Sequence, residues 1–160
     1  MKEITISTNF EVYDSISDLP NDVIELMHKA IEIRKKAYAP YSNFRVGAAI
    51  LVSNGSIILG SNQENAAYPS GLCAERVAIF QAGALYPEET IVCIAITAAS
   101  DNNPTLQPIP PCGACRQSMY EYESKQKETI PVYFMGESGS IYKSNSISNL
   151  LPLSFDKKSL

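Results

Sequence analysis

A single histidine, His28, and no tryptophan stand among the 160 residues of this chain. One imidazole excludes any site that needs two or three. Basic residues are few as well: 13 Lys and Arg against 17 Asp and Glu leave a formal charge of −4. That balance argues against a nucleic-acid partner, because duplex or tRNA binding needs a basic face. Long apolar runs are also missing. The longest, such as residues 91–99, fall far short of the roughly 18 residues that span a bilayer. The first twenty residues carry four acids and no apolar stretch after Lys2, so they do not read as a secretory leader. The expected setting is therefore a reducing cytoplasm with no membrane partner, where cysteines are more often ligands or nucleophiles than disulfides.

What is present is ordinary globular composition, 45% hydrophobic and 19% charged. A chain of this length buries about two-thirds of its unfolded surface, so one domain over residues 1–160 needs no covalent staples. Residues 1–20 alternate apolar and polar side chains and read either as a short edge strand or as a loosely attached arm. Asn21 looks like a helix cap, and Val23, Ile24, Met27, Ala30 and Ile31 follow at helical spacing. His28 lies on that helix as a solvated or boundary residue. Residues 44–52 read as a strand, Asn54-Gly55 as a hairpin turn and 56–60 as the returning strand. Residues 71–83 read as a helix closed by Gly83. The run 89–98 is continuously apolar and β-branched, the pattern of a strand covered on both faces. A helix starting near Cys112, a strand over 130–135 and a further one near 140–143 complete the pattern. Strands interleaved with helices predict an α/β domain with helices on both faces of a mixed sheet.

Four cysteines remain: Cys73, Cys93, Cys112 and Cys115. Cys112 and Cys115 stand three apart at a helix start, where both sulfurs share one face and the helix N-terminus favours the thiolate. Taken alone, C-x-x-C serves either a metal or thiol redox chemistry. Cys73 begins another predicted helix, with Glu75 two residues on. Three sulfurs would leave the fourth position of a tetrahedral zinc to water, the pattern of catalytic rather than structural zinc, with Glu75 beside that water. The competing arrangement is a closed knot with Cys93 as fourth ligand. Cys93 lies mid-strand with no turn to present it, so packing in the core is the expected role.

Cys73-Ala74-Glu75-Arg76 and Pro111-Cys112-Gly113-Ala114-Cys115-Arg116-Gln117 resemble the zinc-dependent cytidine deaminases. So do Ala39-Pro40-Tyr41-Ser42-Asn43-Phe44-Arg45-Val46-Gly47-Ala48 and Asn62-Gln63-Glu64-Asn65-Ala66-Ala67-Tyr68-Pro69. The four blocks come in the right order and cover most of residues 38–118. Cysteine rather than histidine as first ligand resembles the branch that acts on free nucleosides. The resemblance implies a three-layer α-β-α sandwich around a mixed five-stranded sheet. It also implies a hydrolase of pyrimidine salvage, one Zn²⁺ per subunit, and a homotetramer with shared sites.

It further implies site residues. Cys73, Cys112 and Cys115 would hold the metal, and Glu75 would carry protons between water, N3 and the leaving amine of cytosine. Phe44 would pack on the pyrimidine, the backbone of Ala74 would meet O2, and Asn62 with Glu64 would bind the ribose 3′-hydroxyl. Arg76, assisted by Arg116, would offset the net negative charge of three thiolates on one Zn²⁺. Phe155, in Leu151-Pro152-Leu153-Ser154-Phe155, would enter a neighbouring subunit's pocket. Pro110 stands where this family often has a small hydroxyl residue, and the N-terminal arm exceeds the compact form. Rival functions are deamination of another aminopyrimidine nucleoside such as blasticidin S, a thiol oxidoreductase, and a non-catalytic four-cysteine zinc protein.

Overall fold

The computed structural model describes residues 1–157 and 160. The strands are β1 (Glu11–Tyr13), β2 (Phe44–Val52), β3 (Ile57–Ser61), β4 (Ile91–Ser100), β5 (Val132–Met135) and β6 (Ile141–Ser144). The helices are α1 (Asn21–Arg34), α2 (Ala74–Leu85), α3 (Gly113–Gln126) and the short α4 (Ile147–Leu150). The strands form one sheet in the order β1-β6-β5-β4-β2-β3. Only β4 and β5 pair in parallel; all other neighbours are antiparallel. The mixed sheet and its flanking helices are as expected. The sixth strand, β1, is the difference: part of the arm is recruited to the sheet edge, where Glu11 binds Lys143 and Asn145 of the β6 end.

The alternation of side chains across the strands separates two cores. Along β4, Ile94 and Ile96 face α2 and α3, while Cys93 and Ala95 face α1. The α1 layer seals its side with Val23, Leu26, Met27 and Ala30, all buried. The opposite layer is filled by Ile79, Met119, Ile130 and Phe134. Each such fully buried side chain contributes about 1.5–3 kcal/mol relative to exposure. Among the described residues no helix is long and apolar enough to cross a membrane.

Several boundaries differ from the sequence pattern. Pro20, not Asn21, occupies the cap of α1; a proline there presets the backbone angle and has no N–H to leave unpaired. Helix α2 begins at Ala74 and runs through Gly83 to Leu85. Gly83 serves packing instead of termination, since a Cβ there would lie 2.4 Å from the hydroxyl of Tyr122 on α3. Gly60 plays the matching part on β3, where a Cβ would lie 2.4 Å from the carbonyl of Ala74. These contacts draw α2 down onto the sheet and against α3.

The topology then decides where the helices begin. Strands β3 and β4 both run antiparallel to β2, which lies between them, so they point the same way. Helix α2 follows β3 and α3 follows β4. Both helix N-termini therefore emerge at the same end of the sheet, on the same face, beside the start of β2.

Candidate metal centre

Cys73 is the cap residue of α2 and Cys112 the cap residue of α3. Cys115 stands one turn into α3 and is fully buried. The two helix starts therefore bring three thiols together from two distant chain segments. Sγ of Cys73 lies 4.0 Å from Sγ of Cys112, which lies 3.4 Å from Sγ of Cys115. All three sulfurs fall within 4.8 Å of one another. A tetrahedral zinc with bonds of about 2.3 Å places its sulfurs about 3.8 Å apart, so the set fits one zinc ion.

The electrostatics of the cluster point the same way. Hydrogen bonds from the thiols of Cys115 and Cys112, together with Arg76, push the Cys73 thiol down to about 5. Cys115 is shifted in the opposite direction, because it shares its proton with Cys73 and is buried. Arg76 approaches the sulfurs from α2. Burial opposes its charge, but its hydrogen bond to Cys73 and the field of the three sulfurs more than restore it. Among the described residues, Nε of Arg76 is the buried side-chain nitrogen left without a hydrogen-bond partner. A cation beside these sulfurs gains most when they are thiolates, as metal ligation requires.

Glu75 is the second residue of α2 and is 5% exposed. Burial raises the pKa of its carboxyl, Cys73 adds to that rise, and a hydrogen bond with the Cys115 thiol opposes it. A buried carboxyl beside the sulfur cluster, with its pKa raised by burial, holds a proton more readily than a free carboxylate and is placed to exchange it with a group at the metal.

A cleft of about 480 Å³ opens beside the cluster, lined by Tyr41, Asn62, Glu64, Tyr68, Cys73 and Arg76 among others. Oε2 of Glu64 accepts the backbone N–H groups of Tyr41 and Ser42, at 2.9 and 3.3 Å. Hydrogen bonds from Ser42 and Tyr41 hold its carboxyl below the ordinary range, so it stays ionised. Asn62 is clipped to the start of β2: its Oδ1 accepts from Val46 N–H at 2.7 Å and its Nδ2 donates to the Phe44 carbonyl at 2.9 Å. Phe44 is half-buried on the same sheet face as Val46, the face that carries α2 and α3. Ala74 is the first residue of α2, so its N–H has no acceptor within the helix.

Two further residues of the expected set lie outside this cleft. Phe155 is 59% exposed and outside this cleft, with its carbonyl accepting from Gln117 at 3.0 Å. Arg116 hydrogen-bonds the carbonyls of Pro111 and Leu150, both at 2.8 Å, where an approach to the sulfurs was expected. Cys93 sits in the α1 core on the opposite face of the sheet, which removes it as a fourth ligand, and His28 is exposed. The sequence reading missed Tyr41 and Tyr68, whose rings meet edge-on at 6.1 Å in the cleft wall. Both lie inside the matched blocks, and that position was the signal available.

Residues 20–130 match the family model for the cytidine and deoxycytidylate deaminase zinc-binding region. The chain belongs to that family. This deaminase is similar to a cytidine deaminase of Halalkalibacterium halodurans, 44% identical over 130 residues that span 81% of this chain and 91% of the relative. A cytidine deaminase of Sporosarcina psychrophila is 37% identical, over 87% of this chain and 95% of that one. In three dimensions it resembles the crystal structure of a cytidine deaminase from Burkholderia pseudomallei. The TM-score is 0.70 at 40% identity, covering 82% of this chain and 97% of that one.

Proposed function

We propose that this protein hydrolyses cytidine and deoxycytidine to uridine and deoxyuridine, releasing ammonia. The observation that carries the reading is the meeting of three sulfurs, a buried carboxyl and a cleft floored by an ionised carboxylate. Cys73, Cys112 and Cys115 would hold the zinc, which when bound would lower the pKa of a water beside Glu75.

The chain's own residues do the rest. Glu75 accepts a proton from the attacking water and passes protons to N3 and to the exocyclic amine, which departs as ammonia while the water oxygen stays on C4. The Ala74 N–H binds O2 and Phe44 packs against the pyrimidine. Asn62 and Glu64 hold the ribose 3′-hydroxyl; Oε1 of Glu64 is the oxygen turned to that task, since Oε2 is taken by Tyr41 and Ser42. Arg76 balances the thiolate charge. Phe155, exposed and carried away from its own cleft, serves the site of a neighbouring copy in a homotetramer. The reaction belongs to pyrimidine salvage in the cytoplasm, since all four cysteines are free and thiolate ligands last longest in a reducing compartment.

The test is the fall in near-ultraviolet absorbance when the protein meets cytidine, deoxycytidine, CMP and adenosine in parallel. Loss of absorbance with the first two alone is expected. No change with either, or turnover confined to CMP or adenosine, would contradict the reading.

A further inference from the structure

Arg116 follows Cys115 on α3, yet its guanidinium spans two carbonyls that no helix can satisfy. Nε donates to Pro111 and Nη1 to Leu150, each at 2.8 Å. Pro111 is buried and directly precedes Cys112, so its carbonyl lies just outside the helical ladder of α3. Leu150 is the last residue of α4, where a helix leaves its carbonyls without internal donors. The planar fork of arginine can serve two acceptors at a fixed separation; the ammonium of lysine reaches one and leaves the other unpaired.

The same face of α3 holds the segment that follows. One residue on, Gln117 donates to the carbonyl of Phe155 at 3.0 Å. At the far end of the helix, Glu123 accepts from the N–H groups of Ile147 and Ser148 at 2.7 and 2.9 Å, fixing the start of α4. Helix α3 thus carries two of the three sulfurs at its start and the C-terminal tail along its side. Arg116 is the side chain bonded both to the residue before Cys112 and to the last residue of α4.

We propose that Arg116 is a positioning residue that couples metal retention at Cys112 to the order of the C-terminal tail. A metal that restrains Cys112 restrains the Pro111 carbonyl, and through Arg116 the Leu150 carbonyl at the root of the tail. Coupling of this kind is reciprocal: the factor by which metal steadies the tail is the factor by which an ordered tail strengthens metal binding. The inference rests on the three-thiol zinc reading. It stands whether or not cytidine is the substrate, because neither readout below uses turnover.

The experiment follows two quantities in the full-length zinc-loaded protein: zinc release to a chromogenic chelator, and amide hydrogen exchange over residues 147–157. Stripping zinc from the unaltered protein is expected to speed exchange there while α1, on the opposite face, stays protected. Arg116→Lys is expected to speed zinc release about tenfold or more and to raise tail exchange while zinc is still bound. Stripping zinc from that variant should then add little. Gln117→Ala, which lies beyond the link, should loosen residues near Phe155 with zinc release unchanged. Tail exchange that ignores zinc in the unaltered protein overturns the proposal without any variant. So does a rise shared equally by α1, or an Arg116→Lys protein that loses zinc quickly with its tail still protected.

Discussion

Cys73 and Cys112 cap two different helices, and their sulfurs lie 4.0 Å apart. Thirty-nine residues separate them in the chain, so their meeting follows from β3 and β4 sharing a direction. Replacing any of Cys73, Cys112 or Cys115 by serine is expected to abolish stoichiometric zinc. Cys93→Ser should keep it, as elemental analysis of the purified variants will test. Zinc loss from Cys93→Ser with the fold intact would restore the four-cysteine knot.

Cys93 also sets an alkaline limit. Burial pushes its thiol up to about 12, from an ordinary value of 9.0. The folded state keeps the proton that the unfolded chain releases above about pH 9. Its contribution to stability is therefore complete below pH 9 and is lost as pH rises toward 12, with a slope approaching about 1.4 kcal/mol per pH unit. Unfolding in urea at a series of pH values from 8 upward should show this fall. Cys93→Ala should show a shallower one, with a remainder from Tyr133, whose phenol burial raises in the same core. Equal slopes would contradict the assignment.

Glu123 is the buried carboxylate of α3. It accepts the N–H groups of Ile130, Ile147 and Ser148 as well as the Ser148 hydroxyl. Glu123→Gln turns an NH₂ toward donors and halves the acceptors. A loss of about 3 kcal/mol is expected, lowering Tm by roughly 6–12 °C for a chain of this size. Calorimetry checks it, and an unchanged Tm would show that the four contacts carry little.

Glu64 is the residue proposed to hold the sugar. Glu64→Ala should raise KM for cytidine roughly 10- to 100-fold, the worth of one hydrogen bond to a charged acceptor. Any turnover of free cytosine, which has no ribose, should be unaffected. An equal loss on both would mean that Glu64 acts only by shaping the Tyr41–Ser42 turn.

The metal ligands and cleft residues were legible because they depend on local strings at helix starts and strand ends. The roles proposed for the cleft residues come from the family that those strings resemble. What escaped depends on contacts between distant segments. The arm shows its edge strand only once β6 presents Lys143 and Asn145 to Glu11. Gly83 reads as a stop signal until Tyr122 is seen crossing over it. Arg116 reads as a partner of the neighbouring sulfurs, yet two orphan carbonyls, one of them 34 residues away, claim its guanidinium. Glu123 looks like any solvated helix acid, since nothing in its neighbours announces four donors.

The most direct measurement compares the native protein with Glu75→Gln for zinc content and for absorbance change with cytidine. The account predicts one zinc per chain in both, with rapid turnover by the native protein and a rate lower by several orders of magnitude in the variant. A Glu75→Gln protein that deaminates cytidine at the native rate, or a native protein that holds zinc and leaves cytidine intact, would contradict it.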